Sequence, residues 1–175
     1  MSARQEAKEW IKCIVVSIVI AFIIRTFLFN STKVLGSSMY PTLHENDRLF
    51  TNRIVYTLGE PKRGDIVILK APDDKNKDYI KRIIGVAGDK VEIKDGKVYV
   101  NGEEIKEDYT EKGAYTYSDE SMWEVPKGSV FVLGDNRQMG ASKDSRALGL
   151  IPVDLIKGKA SYRYFPIDRF GSLYK

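Results

Sequence analysis

Two short segments carry residue types that could perform acyl transfer. The first is Gly36-Ser37-Ser38-Met39-Tyr40-Pro41-Thr42-Leu43. Glycine permits a tight backbone there, and Pro41 biases Tyr40 toward an extended conformation. A serine held on such a bend can present its hydroxyl and its backbone N–H to one spot. The second is Asp78-Tyr79-Ile80-Lys81-Arg82-Ile83-Ile84-Gly85. In a strand, Tyr79, Lys81 and Ile83 share one face while Ile80, Arg82 and Ile84 share the other. Burial of the first face would disfavour the Lys81 ammonium and lower its pKa from the free value of about 10.4. A neutral lysine can take the proton of a serine, which is otherwise a poor nucleophile. Taken alone, each segment is better served by a plainer role: a β-turn with structural serines, and a solvated lysine on an edge strand.

The elements that must position these residues read as short strands. Leu49 to Tyr56, Ile66 to Leu69, Tyr79 to Val86, Ser129 to Leu133 and Ala160 to Phe165 are expected strands. Pro61-Lys62-Arg63-Gly64-Asp65 is a turn, and Asp73 to Asp78 a polar loop. Val91–Ile93 and Val98–Val100 flank Asp95-Gly96, a hairpin signal because a type I′ turn needs positive φ at both central residues. Asn101-Gly102 is a second such turn. Thr110 to Ser121 is a polar loop rich in glycine, serine and tyrosine, and Gly134 to Arg146 is a long one. The expected fold is all-β, an antiparallel sheet body over 30–90 and 126–175 with a small β insertion over 91–125.

Ahead of this body, Cys13 to Ile24 is an apolar run broken only by Ser17. Extended from Trp10 to Phe29 it reaches the roughly 20 residues needed to cross a bilayer. Lys12 and Arg25 then stand near the ends, where long side chains snorkel, with Trp10 near one interface. No small-residue cleavage site follows, which argues against a removable leader. The expectation is one N-terminal transmembrane helix over 10–29, with residues 1–9 cytoplasmic and the body extracytoplasmic. Arg4, Lys8 and Lys12 before the span set that orientation.

Composition narrows the function classes. The chain has 175 residues and a formal net charge of +4. Acids and bases are interleaved, with no basic run of the kind that favours nucleic acid, so no nucleic-acid partner is expected. Cys13 is the only cysteine, so no internal disulfide forms, and its apolar setting suits a buried hydrophobe. His44 is the only histidine, which removes most cysteine/histidine metal sites. It sits in a His-Glu-Asn-Asp turn and is expected to face solvent. Neither a metal nor a cofactor is expected.

Four segments in order resemble the motifs of bacterial type I signal peptidases, in their single-span Gram-positive-like form. They are Ser38-Met39-Tyr40-Pro41-Thr42-Leu43, Arg63-Gly64-Asp65-Ile66-Val67, Tyr79-Ile80-Lys81-Arg82-Ile83-Ile84-Gly85 with Gly88-Asp89, and Gly134-Asp135-Asn136-Arg137 with Asp144-Ser145-Arg146. Each alone is weak; their shared order is the signal. The resemblance implies a membrane serine endopeptidase that cuts signal peptides from secretory preproteins after a small residue. It implies Ser38, not Ser37, as nucleophile, Lys81 as general base and the Ser38 N–H as an oxyanion donor. Arg82 is expected to pair with Asp135, while Asp144 and Arg146 brace the site. Gly36 stands where some members carry a serine that adds a second oxyanion donor. Ser142 is matched, by its distance to Asp144, to the serine that orients the lysine, although two extra residues intervene around Met139-Gly140. The substrate strand is expected to add to a sheet edge, with Val34, Met39, Leu43, Tyr79 and Ile80 as candidates for shallow pockets or for core packing. Two other readings fit less of the chain. A self-cleaving repressor-type peptidase also uses serine and lysine, and a non-catalytic membrane-anchored β-module would bind extended peptides.

Overall fold

The computed structural model describes residues 3–23 and 30–174. Helix α1 (Ala3–Ile23) is followed by strands β1 (Asn30–Lys33) and β2 (Arg48–Asn52), and by the short helix α2 (Val55–Leu58). Next come β3 (Ile66–Lys70), β4 (Asp78–Gly85), β5 (Lys90–Lys94), β6 (Lys97–Val100), β7 (Glu103–Glu104), β8 (Met122–Glu124) and β9 (Ser129–Leu133). Helix α3 (Ser145–Leu148), β10 (Ile151–Pro152), β11 (Ile156–Phe165) and β12 (Gly171–Ser172) complete the chain. Every strand pairing is antiparallel.

The strands form two sheets. The larger runs β1-β2-β11-β3-β4-β9-β10, with β12 beside β11; the smaller runs β7-β6-β5-β8. Strand β3 is apolar and buried from Ile66 to Leu69, as suits a central strand covered on both faces. Its two faces feed different cores. Ile66 and Ile68 pack with Val34, Met39, Leu43, Leu49 and Ala160. Val67 and Leu69 pack with Ile83, Val130, Val132 and Ile151. A third core, of Val91, Ile93, Val98, Val100, Trp123 and Phe131, joins the small sheet to the large one.

The Asp95-Gly96 turn has φ of 51° and 77°, and Asn101-Gly102 has 54° and 84°, as both hairpins demand. Other expectations need correction. The strand expected from Leu49 to Tyr56 ends at Asn52, because the Asn52 side chain accepts the Ile54 N–H at 2.9 Å and turns the chain into α2. The last long strand begins at Ile156 rather than Ala160. Register shifts near Gly158, Ala160 and Arg163 break the alternation that would have revealed it. Within the polar loop 110–121, Thr116 is buried and its N–H donates to Gly96 O at 2.9 Å.

Helix α1 leaves Trp10, Ile11, Ile14, Val15, Val16, Ile18, Val19 and Ile20 exposed, and Cys13 is exposed rather than buried. Among the described residues no helix is long and apolar enough to cross a membrane. The last part of the span expected over 10–29 lies outside the described residues.

Candidate functional site

Strand β4 sets the site. Ile83 donates its N–H to Asp65 O at 2.8 Å, so Ile83, Lys81 and Tyr79 direct their backbone polar groups toward β3. Ile80 and Arg82 therefore direct theirs the other way. On that side β9 pairs with β4 only at Arg82, Ile83 and Gly85. Beyond Leu133 the chain leaves the sheet, and the Ser38 loop fills the gap: Asn136 donates its N–H to Ser38 O at 3.1 Å. The Asp78–Ile80 edge of β4 is thereby left without a partner strand among the described residues.

Lys81 reaches from this edge to Ser38. Its Nζ lies 2.8 Å from Ser38 Oγ and 3.1 Å from Ile80 O. The lysine is 3% exposed, and burial pushes its pKa down from 10.5 to about 8. The fields of Asp144 and Asp135 oppose that fall, while Arg146 adds to it. The sequence places Lys81 among apolar residues of its own face, and its neighbours there, Val67 across the ladder and Ile83 two residues on, are fully buried.

The next residue has the opposite surroundings. Arg82 donates to both Asp135 oxygens, Nε at 2.8 Å and Nη2 at 2.6 Å, and Nη1 donates to Gly64 O at 3.1 Å. Its guanidinium carbon lies 3.9 Å from the centre of the Tyr109 ring. Burial alone would lower the Arg82 pKa, but the Asp135 hydrogen bonds and charge more than offset it, so the net shift is upward. Thr42, four residues after Ser38, donates its hydroxyl to Asp135 Oδ2 at 2.5 Å, which ties the Ser38 loop to this ion pair.

Asp144 and Arg146 form a second brace. Arg146 donates from Nε and Nη2 to the two Asp144 oxygens, each at 2.8 Å, and Asp144 accepts the Gly134 N–H at 3.0 Å. Burial would raise the Asp144 carboxyl, but the Arg146 hydrogen bonds and charge outweigh it and hold the carboxyl below its usual range. Gly134 sits tightly beneath the serine. A Cβ there would fall 2.3 Å from Ser142 Oγ and 2.4 Å from Ser38 O, so the position admits no side chain.

Other expected residues behave differently. Ser142 Oγ is buried beside the Asp144 carboxyl, which it helps hold down, and it makes no hydrogen bond to Lys81; the lysine is held instead by Ser38 Oγ and Ile80 O. Val34, Met39 and Leu43 belong to the core behind the serine, because their side chains point onto the Ile66–Ile68 face, and they do not line an open pocket. Tyr79 and Ile80 are the half-buried ones. Gly36 lies exposed at φ 80°. His44 is half-buried rather than solvent-facing; it packs edge-on to Tyr40, and its Nδ1 has no partner.

Several residues at the site gave no sign of their part in the sequence. Besides Thr42 and Tyr109, buried Arg137 donates to Gly134 O at 2.9 Å and Thr116 Oγ1 at 2.8 Å, and pairs with Glu107 of the small-sheet region. Asp47, fully buried, accepts Arg163 Nη1 at 3.2 Å while Arg163 also holds Thr42 O at 3.1 Å. Apart from the local Arg137–Gly134 bond, these contacts join residues 21 to 121 positions apart, which no local spacing encodes. Among the described residues no cluster of histidine, cysteine or acidic side chains could hold a metal ion.

Comparison with known proteins places this geometry in context. Residues 7–165 match the model of the family described as signal peptidase, peptidase S26. A signal peptidase I of Bacillus licheniformis is 43% identical, over 91% of this chain and 89% of its own length. Signal peptidase I T of Bacillus subtilis is 45% identical over 91% and 86%. Signal peptidase IB of Staphylococcus aureus is 41% identical over 95% and 94%. A crystal structure of a signal peptidase I from Enterococcus faecalis superposes with a TM-score of 0.49 at 32% identity, covering 58% of this chain and 97% of that one.

Proposed function

The chain belongs to the signal peptidase family, peptidase S26, and from that premise we propose that it cleaves secretory signal peptides with Ser38 as nucleophile and Lys81 as general base. The observation that carries the reading is a 2.8 Å contact between a serine hydroxyl and a lysine that is 3% exposed.

The extended substrate adds to the free Asp78–Ile80 edge of β4, where the outward-facing Ile80 N–H is available and Tyr79 and Ile80 meet its small side chains. Neutral Lys81 accepts the Ser38 proton as Oγ attacks the carbonyl carbon of the scissile bond. The resulting oxyanion is held by the Ser38 N–H, which is not engaged with any other group among the described residues. The Lys81 ammonium returns its proton to the leaving amine, and the C–N bond breaks. Lys81 then takes a proton from water, whose hydroxide attacks the acyl-enzyme ester; the proton goes back to Ser38 Oγ and the carboxylate product departs. Arg82–Asp135 and Asp144–Arg146 brace the two walls of this site without touching the reacting atoms.

We place the chain in the membrane by one span over Trp10–Phe29, with residues 1–9 cytoplasmic and the β body outside. The exposed apolar side chains of α1 support this, since in water they would have no cover. The body divides into a catalytic unit over 30–90 and 126–175 and the insertion over 91–125. A scissile bond just beyond a membrane-embedded signal peptide suits a nucleophile nine residues after Phe29.

The test is incubation of the detergent-solubilised chain with a preprotein, with mass spectrometry of the cut site. Cleavage after a small residue is expected, and Ser38→Ala and Lys81→Ala should each abolish it while circular dichroism stays unchanged. Turnover by either folded variant would overturn the dyad. Release of the chain from membranes by alkaline carbonate would overturn the anchor.

A further inference from the structure

Asn136 grips the nucleophile loop at two consecutive carbonyls. Its backbone N–H donates to Ser38 O and its side-chain Nδ2 donates to Ser37 O, each at 3.1 Å. Ser37 O also accepts the Tyr40 N–H at 3.0 Å, so both of its lone pairs are engaged. The amide orientation is fixed independently, because Asn136 Oδ1 accepts the Gln138 N–H at 3.2 Å and leaves the nitrogen facing Ser37. The whole residue is buried, at 7% exposed.

The Ser37 carbonyl and the Ser38 N–H belong to one planar trans peptide unit and point in opposite directions. Two donors that fix the carbonyl therefore fix the direction of the N–H. They also polarise the same peptide and strengthen its N–H as a donor. Gly36 supplies no side-chain hydroxyl to this spot, so the aim of the backbone donor matters more.

We infer that Asn136 is a positioning residue that aims the Ser38 N–H at the oxyanion of the tetrahedral intermediate. Its Nδ2 acts through the Ser37–Ser38 peptide and touches neither substrate nor Lys81. The inference rests on Ser38 being the nucleophile.

The test uses the full chain in detergent with two variants. Asn136→Ala deletes the amide. Asn136→Asp keeps its shape, its backbone donor and the Gln138 contact, but sets a carboxylate oxygen against Ser37 O. For each, kcat and KM on a signal-peptide substrate are compared with affinity for an uncleavable peptide and for a peptide aldehyde that adds to Ser38 as a tetrahedral adduct. Loss of one oxyanion donor lowers kcat by about 10²–10³, and misdirecting it should cost roughly ten- to hundredfold. Aldehyde affinity should fall in step with kcat. KM and uncleavable-peptide affinity should stay near their original values, as should the pH profile of Asn136→Ala, with Asn136→Asp the slower variant. Unchanged kcat in folded Asn136→Asp would overturn the inference, as would a loss shared equally by the uncleavable peptide. Should Asn136→Ala fail to fold, Asn136→Asp decides alone. Ser38→Ala run in parallel separates the two ideas. If it cleaves, the dyad reading fails; if it is inert while the Asn136 variants run at full rate, only the positioning role falls.

Discussion

Lys81 and Arg82 are neighbours on one strand, both almost fully buried, and they meet opposite electrostatic surroundings. Arg82 has a bidentate carboxylate, a backbone carbonyl and an aromatic face around its charge. Lys81 has a serine hydroxyl, a carbonyl and the Tyr79 ring, its centre 5.2 Å from Nζ, and no carboxylate within hydrogen-bonding distance. Burial alone does not set the protonation of a buried cation; the counter-ion does. The alternation of β4 lets one strand hold a paired cation on one face and a lysine whose pKa burial lowers on the other.

The strongest way to break the comparison is to remove the lysine charge. Lys81→Met should abolish cleavage outright, and it should also stabilise the fold near neutral pH. The fall from 10.5 to about 8 corresponds to about 3 kcal/mol of unfavourable burial. The sign follows from proton uptake: between about 8 and 10.5 the unfolded chain binds more protons at this site, so wild-type stability rises with pH there. The penalty is full below about 8 and is gone above 10.5, so the advantage of Lys81→Met should fade across that window. Urea melts at pH 7 and pH 10.5 measure it.

Arg82→Met should do the reverse, because it strands the buried Asp135 carboxylate. A loss of about 3–5 kcal/mol is expected for a broken buried pair. Arg82→Met combined with Asp135→Leu should recover part of it, which a double-mutant cycle in chemical denaturation would detect. Gly134→Ala should act on both faces at once by pushing against Ser38 O and Ser142. A cost of about 1–3 kcal/mol and a fall in kcat are expected, read from paired melts and kinetics. Tyr109→Leu should be the mildest, removing the ring over Arg82 and the hydroxyl's 2.8 Å bond to Glu107, for about 1–2 kcal/mol in the melting free energy.

The contrast between neighbours was partly legible in the sequence. The alternation Tyr79-Ile80-Lys81-Arg82-Ile83 placed the two cations on opposite faces, the apolar run at Ile66 marked the central strand, and Asp95-Gly96 marked a hairpin. These signals are local, set by strand period and turn geometry. What makes Arg82 a settled cation is not local: Tyr109 comes from the small-sheet region, Asp135 from beyond β9 and Thr42 from the nucleophile loop. The same holds for Asn136, whose amide meets a carbonyl 99 positions away. Ser142 shows the opposite failure. The resemblance implied a bond from it to the lysine, and its buried hydroxyl makes none to Lys81. The ten-residue β11 stayed half hidden because its bulges erase the two-residue period.

The claim on which this rests is that Lys81 gives up its proton about two pH units earlier than a free lysine. The pH dependence of kcat/KM for signal-peptide cleavage reads that group in the free enzyme. The account expects log kcat/KM to climb with unit slope at lower pH and bend to a plateau near 8. A bend near 10.5, or a profile already flat from the carboxylate range upward, would contradict it.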